Sequence, residues 1–158
     1  FGLAAGVWTR DIGKAHALAA RLRALVVKHG LSLGRLPAAD RDLALAWVWA
    51  GLPQTRVLNE PGINAELRAR LAGAAAFLDT DHVELRRWLV DGAWLARDGF
   101  GREYRRVHCT ALPERHLALA AALHELDTDA CAASLRAEEQ ALRRARQQAW
   151  QSRQPKTT

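Results

Sequence analysis

The sequence contains no methionine, one tyrosine, two cysteines and three lysines in 158 residues. The two cysteines, Cys109 and Cys131, are too few for a disulfide scaffold and fit a reducing compartment. No apolar run is long enough to cross a bilayer, and the first residues lack the pattern of a secretory signal. We therefore expect a cytoplasmic protein without membrane contact. Because Phe1 is first, we also expect the chain to begin inside a longer product or after processing.

The motifs of enzymes and metal sites are also missing. The sequence has no glycine-rich phosphate loop, no nucleophile elbow and no pair of catalytic carboxylates. His108 and Cys109 with His116, or Asp81 with His82, come nearest to a ligand set, but neither has a recognised zinc spacing. The sequence therefore predicts no enzymatic activity, no metal and no cofactor.

The basic residues of the chain are unevenly distributed. The formal net charge is +6, from 23 basic and 17 acidic residues. Residues 40–112 hold ten of each, whereas residues 1–39 hold six basic residues and one acid. The stretch from Arg143 to Lys156 holds five basic residues and no acid. A high basic total is typical of nucleic-acid-binding proteins, but here it does not mark the middle of the chain as the binding element.

Apolar residues three and four apart predict helices along most of the chain. The predicted helices are residues 9–29, ending at Gly30; a second from Asp40 to Gly51; a third from Glu60; and a fourth capped by Asp79 or Thr80, with Leu85 and Leu89 pointing inward. The second helix is apolar nearly all round. Its Trp47 and Trp49 are interpreted as core residues in preference to a stacking platform for bases or a small ligand.

Residues 94–107 predict a β-hairpin. Trp94 to Arg97 and Arg102 to Val107 are the strands, and Gly99 and Gly101 flank Phe100 in the turn. A short extended piece at residues 56–58, three helices and this hairpin give the order of a winged helix-turn-helix. We therefore predict a mainly α fold: a winged helix-turn-helix core at residues 40–112 with a two-stranded wing, flanked by an N-terminal helix and connector at 1–39 and a C-terminal helical extension at 113–158.

The C-terminal extension predicts two more helices, one from Pro113 and one from Asp127 or Thr128 to about Trp150. On the last helix, Leu135, Leu142 and Ala149 recur every seven residues. Such a narrow apolar seam suits packing across the domain or pairing with a second copy, and the dimer is the preferred interpretation.

Residues 58–106 carry a set of short sequence motifs that resembles a known family. They are Glu60 with Ile63-Asn64 and Leu67; Asp81 with Leu85-Arg86-Arg87 and Leu89-Val90-Asp91; Leu95 with Arg97; and Tyr104 with Arg106. The stretch is similar to domain of unknown function 2087, a prokaryotic family found alone and attached to proteins described as transcriptional regulators. The resemblance implies a regulator-like winged helix and no established chemistry.

The chain departs from the family pattern at three places. Gly62 replaces an acid, Ala93 replaces the usual glycine, and residues 38–42 lack a basic cluster. We expect Gly92 to take over the stop of the fourth helix, so that the fold is kept.

Two hypotheses about function follow. In the first, the protein is a winged-helix DNA-binding regulator or regulator-associated domain. Its candidate contacts to double-stranded DNA are Arg86 and Arg87 on the fourth helix and Arg102 and Arg105 in the wing.

In the second hypothesis, the same core is a protein-interaction module that binds a partner or itself without DNA. The neutral charge of residues 40–112 and the flanking helices favour it, and the acids Asp79, Asp81 and Glu84 oppose DNA binding because they lie where a recognition helix approaches phosphates. Leu135, Leu142 and Ala149 are its candidate contacts.

Overall fold

A computed structural model describes residues 12–153 of the chain. This part is mainly helical, with a small antiparallel sheet. Its α-helices are α1 (Ile12–Val26), α2 (Ala38–Ala50), α3 (Glu60–Ala72), α4 (His82–Asp91), α5 (Glu114–Leu123) and α6 (Thr128–Arg153). Its strands are β1 (Leu58–Asn59), β2 (Leu95–Arg97) and β3 (Glu103–Arg106), and a 3-10 turn lies at Leu33–Arg35. The predicted mainly α class is confirmed, and the predicted start of the first helix at Thr9 lies outside the described residues.

Helix α2 lies at the centre of the domain. It begins at Ala38, two residues before the predicted Asp40, because the fixed φ of Pro37 suits the position just before a helix. Every residue from position 43 to position 50 is buried. The indoles of Trp47 and Trp49 donate to the carbonyls of Ala74 and Val107, each at 2.9 Å. Both tryptophans are therefore core residues, as predicted.

The N-terminus of α4 is capped by Asp81. The sequence predicted Asp79 or Thr80 as the cap, and that prediction is wrong. The Oδ1 atom of Asp81 accepts the backbone N–H groups of Val83 and Glu84, both at 2.8 Å. These hydrogen bonds, foremost the one from Glu84, hold the pKa of Asp81 below its usual value. A carboxylate at this position also complements the helix dipole.

Helix α4 ends in a left-handed residue that is not glycine. The N–H of Trp94 donates to the carbonyl of Leu89 at 2.9 Å and that of Ala93 to Val90 at 3.0 Å, which is a Schellman motif. Ala93 has φ of 61°, whereas Gly92 has φ of −79°. Gly92 is the C-cap of α4, so the helix stops there as expected, but the left-handed position falls on Ala93. Gly92 is needed for another reason: an added Cβ would lie 2.8 Å from Cδ1 of Trp94.

The predicted two-stranded wing is part of a three-stranded sheet. β2 pairs with β3 as the sequence predicted, with Ala96 opposite Arg105. β1 pairs with the other edge of β3, with Leu58 opposite Tyr104, so the strand order is β1-β3-β2. The order of helices and strands and this sheet are consistent with a winged-helix-like fold.

One hydrophobic core joins the middle of the chain to both flanking helices. It includes Leu22 of α1, Leu43 of α2, Leu123 of α5 and Leu135 of α6, each at most 4% exposed. Burial of a leucine side chain stabilises a fold by about 1.5–3 kcal/mol, so the flanking helices contribute to the stability of the middle segment. Among the helices described, none is long and apolar enough to span a membrane.

Candidate nucleic-acid interface

Arg86, a predicted DNA contact, is held by neighbours within the domain. Its Nη1 atom donates to Asn64 Oδ1 at 2.6 Å and to Glu60 Oε1 at 3.1 Å, which joins α4 to α3. Its guanidinium lies 5.3 Å from the ring centroid of Tyr104 in β3. The side chain is 15% exposed. Arg86 therefore contacts Glu60, Asn64 and Tyr104, and all four residues are among those that carry the family resemblance.

The exposed face of α4 is mainly acidic. Arg87 is exposed on this helix, but so are Asp81, Glu84 and Asp91. Because DNA carries one negative charge per about 1.7 Å of its axis, three carboxylates on this face oppose its approach. The structure therefore leaves one predicted arginine of α4 accessible, and it surrounds that arginine with acids.

The wing exposes basic side chains around an aromatic tip. Phe100 is 84% exposed, and the guanidinium of Arg102 lies 5.8 Å from its ring centroid. Arg105, predicted as a second wing contact, is exposed on the outer face of β3. Asp98 turns toward the backbone, where its Oδ1 accepts the N–H groups of Arg102 at 2.7 Å and of Glu103 at 3.1 Å.

Two acids, Asp98 and Glu103, lie beside the arginines of the wing. The hydrogen bond from the Glu103 backbone is the main cause that lowers the pKa of Asp98, so this acid is ionised and used locally. Glu103 itself is exposed beside the arginines. The side chains of Arg102 and Arg105 therefore project into solvent beside the two carboxylates of Asp98 and Glu103.

Arg106 is a buried arginine that the sequence analysis did not assign to the interior. It is 8% exposed, donates to the carbonyls of Ala50, Leu52 and His124 at 2.9–3.0 Å, and lies 4.0 Å from the ring centroid of Trp49. Burial lowers its pKa to about 10. The alternation of β3 gives a signal for this position, because Arg106 shares a face with buried Tyr104.

The seven-residue seam of the last helix is divided between the core and the surface. Leu135 is buried in its own domain, whereas Leu142 is 44% exposed and Ala149 is exposed. The structure thus leaves Leu142 and Ala149 accessible to a partner, together with Trp150, which is 64% exposed. The basic residues from Arg143 to Arg153 lie on this same exposed half of the helix.

The histidines and cysteines do not form a ligand cluster in the part of the chain that is described. No group of three or more His, Cys, Asp or Glu side chains there is arranged to hold a metal ion. His116 is buried, stacks on Trp94 with ring centroids 4.2 Å apart, and lies with its Nε2 atom 3.0 Å from the carbonyl of Gly92. Cys109 and Cys131 are both free thiols.

Comparison with known proteins finds one family model that matches the middle of the chain. Residues 33–106 match the family model described as an uncharacterized protein conserved in bacteria, which covers just under half of the chain. No curated protein and no solved structure matches significantly. The match contains the contacts of Arg86 and those of Arg106 with Ala50, Leu52 and Trp49, and it extends the predicted resemblance toward the N-terminus. Residues 33–106 of this chain are therefore similar to the bacterial family named domain of unknown function 2087.

Proposed function

We propose that the chain is a DNA-binding module of the regulator type, whose contacts to double-stranded DNA come from the wing. The observation that carries this proposal is the exposure of Arg102 and Arg105 on the hairpin. Arginine is suited to phosphate because its planar guanidinium donates two parallel hydrogen bonds. Phe100 at the tip provides an apolar surface beside them.

The same proposal excludes Arg86 as a base-reading residue. Its Nη1 atom already has two acceptors, Asn64 and Glu60, and release of these groups would cost about 1–3 kcal/mol. The wing arginines have no such cost, because their side chains are exposed.

Salt-dependent DNA binding tests the proposal. The affinity for a duplex of mixed sequence is measured between 50 and 200 mM salt, with fluorescence anisotropy of labelled DNA. The slope of log affinity against log salt is negative, and removal of two phosphate contacts makes it shallower by about 1.8. We expect this loss for Arg102→Gln/Arg105→Gln and not for Arg86→Gln. Equal slopes for the double variant and the unchanged protein would refute the wing as the contact.

The acidic face of α4 favours a second candidate, a protein-interaction module that binds a basic partner or forms a homodimer. Asp81, Glu84 and Asp91 are exposed together there, and half-buried Trp88 lies beside them with Arg41 5.1 Å from its ring centroid. Glu84→Gln/Asp91→Asn separates the candidates. If α4 approaches DNA, loss of these charges strengthens DNA binding; if the face serves a protein, DNA binding is unchanged.

We also propose a cytoplasmic location, which the two free thiols favour.

A further inference from the structure

The second half of α6 is not covered by any other part of residues 12–153, which the structure describes. The first half is anchored in the core by Thr128, Cys131, Ala132 and Leu135. From Gln140 to Arg153, every residue is exposed. A helix of 14 residues alone is marginal in water, but the buried first half supplies the nucleus from which this half propagates.

Three of the four arginines of this half lie on one face. Arg143, Arg146, Trp150 and Arg153 follow one another at intervals of three, four and three residues, the spacing of a single stripe on a helix. The opposite face carries uncharged glutamines and serine, with Arg144 as its one charge; these residues are Arg144, Gln148, Gln151 and Ser152. No acid occurs from position 140 to position 153.

Most of this charge is not neutralised within the domain. Arg143 pairs with Glu139 at 3.0 Å, one turn away. Arg146 and Arg153 have no carboxylate within 4.0 Å among residues 12–153. The stripe therefore presents at least two unpaired guanidinium groups on either side of Trp150.

The charge and the scarcity of large apolar residues decide between possible occupants. A second copy of this helix would bring like charges together, which is unfavourable. A groove in another protein needs a larger apolar surface: a specific interface buries about 1,200–2,000 Å² in total, and the exposed half of α6 has two large apolar side chains, Leu142 and Trp150. A polyanion matches the stripe in sign.

We propose that the second half of α6 docks on the phosphate backbone along the major groove of duplex DNA. Its 14 residues span about 21 Å, and a helix about 10–12 Å wide fits a major groove about 12 Å wide. Arg146 and Arg153 contact phosphates, and the apolar ring of Trp150 lies between them against the groove wall. The surface is separate from the wing, and neither requires the other to bind.

Binding of the full chain to a duplex of mixed sequence tests this proposal. Arg146→Gln/Arg153→Gln is expected to make the negative slope of log affinity against log salt shallower by about 1.8. Arg144→Gln on the opposite face is the matched control and is expected to leave the slope nearly unchanged. Both changes keep good helix formers at exposed positions, so circular dichroism and thermal unfolding should match those of the unchanged protein.

Four results would overturn the proposal. The first is an unchanged slope for the Arg146→Gln/Arg153→Gln variant. The second is an equal loss per arginine from Arg144→Gln, which would mean that the charge acts without a preferred face. The third is equal binding of duplex RNA, whose narrow major groove does not admit the helix. The fourth is a dimer, seen by light scattering, that Leu142→Glu dissociates, because α6 would then pair with a second copy.

These tests distinguish the α6 surface from the wing. If the wing variant Arg102→Gln/Arg105→Gln has no effect and the α6 variant does, the wing proposal fails and the α6 proposal stands. The reverse result refutes the α6 surface alone.

Discussion

The guanidinium of Arg86 and the side-chain amide of Asn64 are joined by a 2.6 Å hydrogen bond between α4 and α3. The same Nη1 atom also reaches Glu60 at 3.1 Å, and Tyr104 lies beneath the guanidinium. Arg86, which the sequence predicted to contact DNA, therefore connects α4 to α3 and to the sheet.

Replacement of Arg86 is expected to affect stability and not DNA binding. Arg86→Ala removes charge-assisted hydrogen bonds from a side chain that is 15% exposed, and we expect a loss of about 1–3 kcal/mol in the free energy of unfolding. Urea denaturation measures this loss. Arg87→Ala, on the exposed face of the same helix, is the control and should change stability by less than about 0.5 kcal/mol.

Replacement of Ala93 by glycine is expected to stabilise the protein. Ala93 has φ of 61°, a left-handed conformation that costs a non-glycine residue about 1–2 kcal/mol. Glycine removes that cost but loses about 0.4–1 kcal/mol through the greater freedom of the unfolded chain. We expect Ala93→Gly to raise the free energy of unfolding by about 0.5–1 kcal/mol, measured by denaturation. A lower melting temperature would contradict the left-handed assignment.

Stability is expected to fall in mild acid because of His116. Burial is the main cause that lowers the pKa of this histidine below its usual 6.5, so the folded state favours the neutral ring. In the unfolded chain His116 gains a proton as the pH falls below about 6.5, and it gains that proton more readily than in the folded chain. Its contribution is therefore complete above this pH and is lost as the pH falls toward the lower folded value.

The measurement is the free energy of unfolding between pH 5 and pH 8 for the unchanged protein and for His116→Phe. Phenylalanine keeps an aromatic ring beside Trp94 but does not titrate. The difference between the two proteins should change with pH in the direction given; a constant difference would show that His116 does not titrate differently on folding.

The two leucines of the C-terminal seam are expected to differ in their effect on stability. Leu135→Ala leaves a cavity in the core and should cost about 2–5 kcal/mol, whereas Leu142→Ala at an exposed position should cost less than about 0.5 kcal/mol. Thermal unfolding of both variants gives the comparison. Similar losses would show that Leu142 is also covered, for example by a second copy of the chain.

Local sequence patterns predicted the elements well where one signal dominated. The order of helices and hairpin, the inward position of Leu85 and Leu89, and the burial of Trp47 and Trp49 follow from periodicity alone. The cap of α4 was misplaced because Asp79, Thr80 and Asp81 all favour an N-cap, and the choice depends on where the preceding chain enters the helix.

The sequence by itself determined the class of the fold, the family resemblance of residues 33–106 and the imbalance of charge between the middle and the ends. Tertiary structure alone decided which arginines are available. Arg86 and Arg106 are turned inward by hydrogen-bond partners 18 to 56 residues away, a distance over which periodicity carries no information. Arg102, Arg146 and Arg153 remain outside because nothing in the described fold covers the wing tip or the second half of α6.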